Sequence, residues 1–357
     1  MIFPDSNAQW KVLANRLVAG LGVRAGELIQ IRDETGVYPL LQHIILAVEL
    51  AGATPLVEIR PISHMHTVWQ QAPLDYLANW DKHRGAWMQQ TDRILVLLGG
   101  EPDYAKIPMG RFELWRSAEH RLTELEEATP RPFLIAAIPT EAQAQQLGLS
   151  EAQLSNHLFP ALNVGVSEMQ KVLQTTLLKL KGAKELTIQT GKSAELTLKL
   201  GARRWLVDDG YIDDDDIQAG AVVSNLPAGA LYTTVLEAET SGTLFLPQAL
   251  GALNVSFRFE SGRVQQIDAA FNGEAIRSVF SRHTGEPRRV GHIGIGLNPR
   301  LRRPIGWTIV DEHVHGHLFI SFGENRYMGG QNASSLNIDF ALPNARLLAD
   351  GVQVIPF

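Results

Sequence analysis

Hydrophobic positions in roughly the first 150 residues form short apolar runs that alternate with longer segments of helical periodicity. The short runs have the length of buried strands, and the longer segments have the length of helices. Strands separated by such helices predict crossover connections and a largely parallel sheet. The pattern therefore predicts a doubly wound α/β domain. Its clearest strand-like runs are ELIQIRD, TPLVEIRP, RILVLLGG and RPFLIAAIPT.

The periodicity changes after about residue 185, where apolar and polar residues alternate and Gly and Asp interrupt the runs. This alternation, seen in AELTLKLG and LNVSFRFESGRVQQIDAA, predicts a region built mainly of β-sheet. A chain of 357 residues also exceeds the usual size of one domain. We therefore expect an α/β domain with a bridging helix over residues 1–183, followed by a β-rich α+β domain over residues 184–357 that carries the active site.

Composition narrows the classes of function. Hydrophobic residues make up 45% and charged residues 20% of the chain, values typical of a folded globular enzyme. The net charge is -6 and no long basic run is present, which argues against nucleic acid as a partner. The chain contains no cysteine, so any metal must be held by nitrogen and oxygen ligands.

Two further expectations concern membranes and location. The longest apolar runs fall far short of the roughly 20 residues that a spanning helix needs, so we expect no membrane association. The N-terminal stretch MIFPDSNAQWKVLANRL lacks the basic and then apolar regions of a secretory signal. The sequence therefore predicts a cytoplasmic protein.

Four patches in the second half carry the information about function: VSNLPAGALYTT, VGHIGIGLNP, DEHVHGHLFISFG and YMGGQNASSLNIDFAL. Together they resemble the aminopeptidase T/S family of metallopeptidases, in which each patch supplies ligands to a pair of divalent cations. Such a pair polarises a peptide carbonyl and generates hydroxide at neutral pH, and carboxylates must bridge the two ions.

Several positions depart from the pattern of that family. Where the resembled peptidases carry glutamates in the first two patches, this chain has Ala230 and His292. Phe319 and Asn337 stand where those enzymes have histidines. Only Tyr327 and Asp339 remain from the expected set. A two-metal peptidase site therefore cannot be carried over to this sequence.

A related branch, resembling 2,5-dihydroxypyridine 5,6-dioxygenase, accounts for several of these departures. Its second patch reads like HIGIGLNPR of this chain, and the resemblance makes His292 a metal ligand. The carboxylate comes from Asp339. In that branch two histidines and one carboxylate hold a single Fe(II) and leave positions open for substrate and dioxygen. One divalent metal, with Fe(II) favoured, is therefore the expected cofactor, although the lost ligands also allow none.

The second histidine of that triad is missing, because Asn337 is a much weaker ligand than imidazole. The segment HVHGH could replace it, since alternating histidines on a strand share one face with Phe319. We therefore predict a metal site of His292, His317 and Asp339, with Tyr327 and Asn337 as catalytic residues beside it.

Structural roles for the same residues stay open. His317 could hydrogen-bond a neighbouring group or face solvent, and Gly316 could introduce a bulge that changes the alternation. Asp339 could anchor its own loop by accepting backbone hydrogen bonds, and His292 could hydrogen-bond the glycine-rich turn. Tyr327 could simply cap the glycine turn formed by Gly329 and Gly330.

Three functions are consistent with the sequence. The leading hypothesis is a mononuclear-metal enzyme of the dioxygenase-like branch that acts on a small aromatic or heterocyclic substrate. The second is an aminopeptidase with a rearranged metal site and a peptide substrate. The third is a metal-free, non-peptidase descendant that binds a peptide or small molecule. The resemblance also implies a homodimer.

Overall fold

The computed structural model of the protein describes residues 6–100, 102, 104 and 107–356. The chain forms two compact units, and each unit is assembled from separate stretches of sequence. The first unit comprises Met1–Asn163 and Gly210–Ala228, and the second comprises Val164–Asp209 and Gly229–Phe357.

A parallel sheet of five strands forms the centre of the first unit, in the order β2-β1-β3-β4-β8. The strand order reverses beside β1, as in doubly wound folds. The central strands are rich in β-branched and leucine residues and are buried on both sides. The strands are β1 (Leu28–Asp33), β2 (Thr54–Ile59), β3 (Arg93–Leu98), β4 (Phe133–Ala137) and β8 (Val223–Leu226).

Helices cover this sheet. A cluster that contains Trp69, Trp80 and Trp115 packs on β3, and α1 packs against β3 and β4. Ser150 begins α8 with a reciprocal capping box to Gln153. The helices are α1 (Ser6–Leu21), α2 (Tyr38–Leu50), α3 (Ile62–Gln71), α4 (Leu74–Ala78), α5 (Asp81–Gln90), α6 (Met109–Ala128), α7 (Glu141–Gln146), α8 (Glu151–Leu162) and α10 (Asp214–Ala219).

Two antiparallel sheets make up most of the second unit. The seven-stranded sheet has the order β12-β11-β10-β6-β5-β16-β17, and the five-stranded sheet has the order β15-β14-β13-β9-β7. The strands are β5 (Glu185–Thr190), β6 (Ala194–Lys199), β7 (Leu206–Asp208), β9 (Ala230–Thr234), β10 (Ser241–Ala249), β11 (Ala252–Glu260), β12 (Arg263–Asp268), β13 (Val290–Gly296), β14 (Leu318–Gly323), β15 (Asn337–Leu342), β16 (Arg346–Ala349) and β17 (Val352–Ile355).

Aromatic side chains join these two sheets. Phe257 of β11 contacts Phe322 of β14 and Phe340 of β15, with ring centroids 5.3 and 6.3 Å apart. Successive residues of a strand point to opposite faces, so the other face of β14 is directed away from this core. The unit also contains α9 (Val166–Leu180), α11 (Gly273–Arg282), α12 (Thr308–Asp311) and the 3-10 helices Glu237–Glu239 and Arg326–Met328.

The predicted fold class is confirmed: a parallel α/β sheet with helices is followed by a region rich in antiparallel sheet. The boundary predicted after residue 183 remains a prediction. Within the described part of the chain, none of the helices combines the length and the hydrophobicity that crossing a lipid bilayer requires.

Candidate functional site

The five-stranded sheet of the second unit places most of the predicted site residues on one face. His292 of β13 pairs with Thr234 of β9, and Gly294 pairs with Phe319 of β14. Asp339 of β15 pairs with Ser321 of β14. Paired residues lie on the same side of a sheet, so these side chains share the face opposite the aromatic core. We refer to it as the site face.

His292 lies in a β-bulge. Val290 pairs with Phe322 and Ile293 pairs with Ile320, so β13 has one more residue than β14 between these two pairs. A bulge of this kind bends the strand and changes the direction of a side chain, and bulges are common beside active sites. The sequence shows only the glycine before His292 as a sign of it.

His292 and Asp339 meet across the site face. His292 Nε2 lies 3.3 Å from Asp339 Oδ1. Burial lowers the pKa of His292, although the negative charge of Asp339 opposes this shift. The imidazole is therefore neutral at pH 7, the form that binds a metal. Among the described residues, neither His292 Nδ1 nor Asp339 Oδ1 has a hydrogen-bond partner.

Apolar groups occupy the two positions where the resembled peptidases carry other ligands. The ring of Phe319 lies directly on Gly294, where an added Cβ would come within 1.8 Å of the ring. Phe319 also contacts His292 edge to face, with centroids 5.9 Å apart. Ala230 is buried on the same face and pairs with Gly296. Neither Phe319 nor Ala230 therefore offers a side-chain oxygen or nitrogen to a metal.

Asn337 and Tyr327 form a hydrogen-bonded pair at the edge of the site face. Ser321 Oγ donates to Asn337 Oδ1 at 3.1 Å, and Asn337 Nδ2 donates to the Tyr327 hydroxyl oxygen at 3.2 Å. Both polar atoms of the Asn337 amide are thus already engaged. The Tyr327 hydroxyl keeps its own proton free for donation, and the residue is 54% exposed.

The HVHGH segment is not a strand, so the expected alternation of its histidines does not hold. His313 and His315 lie in turns after α12, and Gly316 adopts a left-handed conformation with φ of 80°. His317 immediately precedes β14 and is half-buried. Its side chain makes no hydrogen bond to another described residue, and burial lowers its pKa. In the described part of the chain, His317 forms no hydrogen bond or ion pair with His292 or Asp339.

His313 has a different role from the one expected of this segment. Its Nε2 bonds Asp208 Oδ2 at 3.0 Å and its Nδ1 lies 2.8 Å from the carbonyl oxygen of Ile309. Burial alone would lower the pKa of His313, but the Asp208 bond and charge raise it. Asp208 itself pairs with Ala230 on the site face. A buried ion pair therefore lies beside the position where the peptidase carboxylate is missing.

Glu312 is a functional candidate that the sequence did not reveal. Burial and the charges of Asp339 and Asp208 raise its pKa to about 8, against the opposing charge of His313. The carboxyl is therefore largely protonated at neutral pH. No motif singles out this residue, because its position near Asp339 depends on the turn that follows α12.

The donor atoms fit one cation and do not fit two. Two ligands about 2.1 Å from one ion and at right angles are about 3 Å apart, close to the separation of His292 Nε2 and Asp339 Oδ1. The unpartnered Asp339 Oδ1 is suited to such a role. Among residues 6–100, 102, 104 and 107–356, however, no group of three His, Asp or Glu side chains is arranged to hold a metal.

Comparison with known proteins decides the family. The sequence profile described as thermophilic metalloprotease (M29) matches residues 9–353. The chain belongs to the M29 family. No curated protein matches this M29 chain at a significant level.

Two solved structures resemble this M29 chain over nearly its full length. Wild-type AmpT from Thermus thermophilus has a TM-score of 0.75 and 16% identity, with 98% of this chain and 100% of AmpT covered. The 2,5-dihydroxypyridine dioxygenase from Pseudomonas putida KT2440 has a TM-score of 0.62 and 17% identity, with 99% and 96% covered. The scaffold predicted from the four patches is confirmed, and at these identities the structural likeness establishes the fold alone.

Proposed function

We propose that this M29 chain is an enzyme that uses a single divalent cation, with Fe(II) favoured, to act on a small aromatic or heterocyclic molecule. The observation that carries the proposal is the pair His292 Nε2 and Asp339 Oδ1, 3.3 Å apart on the site face. Both atoms are buried, and the oxygen lacks a hydrogen bond to any described residue. Burial keeps the imidazole neutral, so that it presents a lone pair to a cation.

His292 and Asp339 would hold the cation, and a bound Fe(II) offers open positions for substrate and dioxygen. The third predicted ligand, His317, would have to approach from the turn before β14. Asn337 is a poorer alternative, because its amide is bonded to Ser321 and Tyr327. We therefore assign Asn337 to orienting Tyr327.

Two side chains beside the pair can handle protons and orient the substrate. Tyr327 accepts a hydrogen bond from Asn337, so its own proton can be donated to a substrate oxygen. Glu312, with a pKa of about 8, is a neutral acid at pH 7 and can give a proton to a developing anion. Phe319 excludes water from one side of His292.

Metal stoichiometry tests the proposal. Protein purified without chelators is assayed by elemental analysis, and metal-free protein is loaded anaerobically with Fe(II). We expect about one iron per chain, and we expect His292→Ala to abolish its binding. The matched control is His120→Ala, on the exposed surface of α6, which should bind iron as the wild type does. If His292→Ala retains full metal content, the assignment of His292 and Asp339 is wrong.

The aminopeptidase alternative is supported by the family match over residues 9–353. It predicts about two zinc, cobalt or manganese ions per chain and hydrolysis of aminoacyl-p-nitroanilides. Against it, Ala230 and Phe319 offer no ligand atoms on the site face. The absence of a three-residue metal group among the described residues favours the third alternative, a metal-free binding protein. That alternative predicts no metal under any loading condition.

A further inference from the structure

A buried glutamate, Glu237, is linked by hydrogen bonds to two segments that carry site residues. Glu237, in the 3-10 helix Glu237–Glu239, is 8% exposed. Arg203 Nη2 donates to both of its carboxylate oxygens, at 3.1 and 3.0 Å. Asn325 Nδ2 donates to Oε1 at 2.9 Å, and the backbone N–H of Gln331 donates to the same oxygen at 2.7 Å. One carboxylate thus receives four hydrogen bonds.

The partners of Glu237 hold the turn that carries Tyr327. Arg203 Nη1 donates to the carbonyl oxygen of Gly329 at 2.5 Å, and the Asn332 N–H donates to Asn325 Oδ1 at 2.8 Å. Asn325 and Gln331 therefore fix the two ends of the turn, and Arg203 fixes its middle. Several of the bonds that hold the Tyr327 turn therefore lead to one carboxylate.

The same network reaches the bulge in β13. Asn325 Nδ2, which bonds Glu237, also donates to the carbonyl oxygen of Gly291 at 2.9 Å. Gly291 is the bulge residue that immediately precedes His292. A shift of Asn325 would therefore alter the backbone that directs the His292 imidazole. Asn325 is fully buried, so it has no solvent bond to substitute for either contact.

Glu237 is ionised and rigidly placed. Burial would raise the pKa of Glu237, but the bonds from Gln331 and Asn325 and the charge of Arg203 lower it below its usual value. Its backbone is confined as well, because a Cβ added at Gly262 would come within 1.8 Å of the Glu237 carbonyl oxygen. Neither the charge nor the position of Glu237 can change easily.

We propose that Glu237 is a positioning residue that sets Tyr327 and His292 relative to each other. It acts through Asn325, Gln331 and Arg203 and does not touch substrate or metal. This inference rests on the proposed function, in which His292 binds the metal and Tyr327 binds the substrate. It adds Glu237, which no sequence motif identified.

Fluorine NMR of protein labelled with 3-fluorotyrosine tests the inference without relying on activity. The chain has six tyrosines, and Tyr327→Phe identifies the Tyr327 signal by its loss. We expect Glu237→Gln to shift and broaden the Tyr327 signal and to leave the other signals in place. The matched control is Glu185→Gln, which removes the half-exposed ion pair with Lys199 in the same unit. It should leave the Tyr327 signal unchanged.

Cobalt(II) binding and its visible absorption spectrum report on the His292 end of the network. We expect Glu237→Gln to weaken cobalt binding about tenfold, as is typical when a residue that supports a ligand is removed. If Glu237→Gln does not fold, Arg203→Lys serves in its place. This variant keeps the charge but loses the bond to Gly329, so we expect a smaller shift in the same direction.

The outcomes separate this inference from the proposed function. If the Tyr327 signal shifts but even the wild type binds no cobalt, the metal proposal fails and the positioning of Tyr327 by Glu237 stands. If both variants fold and leave the Tyr327 signal and the cobalt spectrum as in the wild type, the positioning role of Glu237 is overturned.

Discussion

Two neighbouring residues, Glu312 and His313, retain protons for different physical reasons. For Glu312, burial and the nearby carboxylate of Asp339 both disfavour the charged form and raise its pKa to about 8. For His313, burial works in the opposite direction, and the bond and charge of Asp208, the charge of Glu312 and the contact with the Ile309 carbonyl oxygen raise its pKa. The result is an uncharged acid next to a buried ion pair.

This arrangement predicts that stability falls as pH rises. Both groups bind protons more tightly in the folded than in the unfolded chain, so the free energy of unfolding decreases with pH. The contribution of Glu312 to the free energy of unfolding decreases between about pH 4.5, the ordinary pKa of a glutamate, and about pH 8, its pKa in the folded chain. One proton taken up on folding gives a slope of at most about 1.4 kcal/mol per pH unit, and the slope is smaller near both ends of this range, so we expect a contribution of about 1 kcal/mol per pH unit on average between pH 5 and 8.

Urea denaturation at several pH values between 5 and 8 measures this slope. We expect Glu312→Gln to make the slope less steep by about 1 kcal/mol per pH unit. Glu49→Gln, on the exposed side of α2, is the control and should keep the wild-type slope. An identical slope in Glu312→Gln and the wild type would rule out proton uptake by Glu312 on folding.

The residues that the sequence could identify are those fixed by strand registers. His292 and Asp339 lie in recognisable patches, and sheet pairing brings the patches together. Glu312 and Asp208 could not be identified, because the turn after α12 and the long-range bond to His313 place them near the site face. Metal ligation by His292, His317 and Asp339 remains a prediction.

At the scale of elements, the pattern of apolar and polar residues predicted the long strands correctly and the short segments that contain glycine poorly. The alternating histidines of HVHGH have the pattern of a strand, but Gly316 and the bonds of His313 turn the chain instead. The apolar runs of β1 and β3 were identified correctly, because pairing partners on both sides require such residues.

The close packing of β13 on β14 predicts the effect of adding one methyl group. In Gly294→Ala the new Cβ would overlap the Phe319 ring, so the ring or the strand must move. We expect a loss of about 2 kcal/mol in the free energy of unfolding, the usual size of an overpacking effect. Urea denaturation measures it.

A double variant is the control for this contact. Phe319→Leu removes the overlapping ring atoms, so Gly294→Ala combined with Phe319→Leu should lose less stability than the two single changes added together. If the stability losses of the two single variants simply add in the double variant, the ring of Phe319 does not lie on Gly294.

At the scale of the whole molecule, the order of elements along the chain predicted the two kinds of sheet. It did not predict how separate stretches combine into units. The 210–228 segment supplies β8, which pairs with β4 in the first unit, whereas α9 belongs to the second. These assignments depend on contacts between residues far apart in sequence, which periodicity does not encode.

A homodimer remains a prediction at this scale, and the molar mass in solution tests it. We expect light scattering to give twice the mass of the 39.4 kDa chain. A mass that stays at that of one chain across a wide range of protein concentrations would contradict a dimer. If the measured mass stays at twice that of the chain when the protein is diluted, the dimer is stable.

The contact between Phe319 and Gly294 limits what a single substitution can add to the site face. A histidine placed at position 319 would put a polar ring where the phenyl ring now lies on Gly294, and Ala230 would still lack a carboxylate. One substitution would therefore supply at most one of the two groups. A variant designed to hold a second cation at these positions needs at least two coordinated changes.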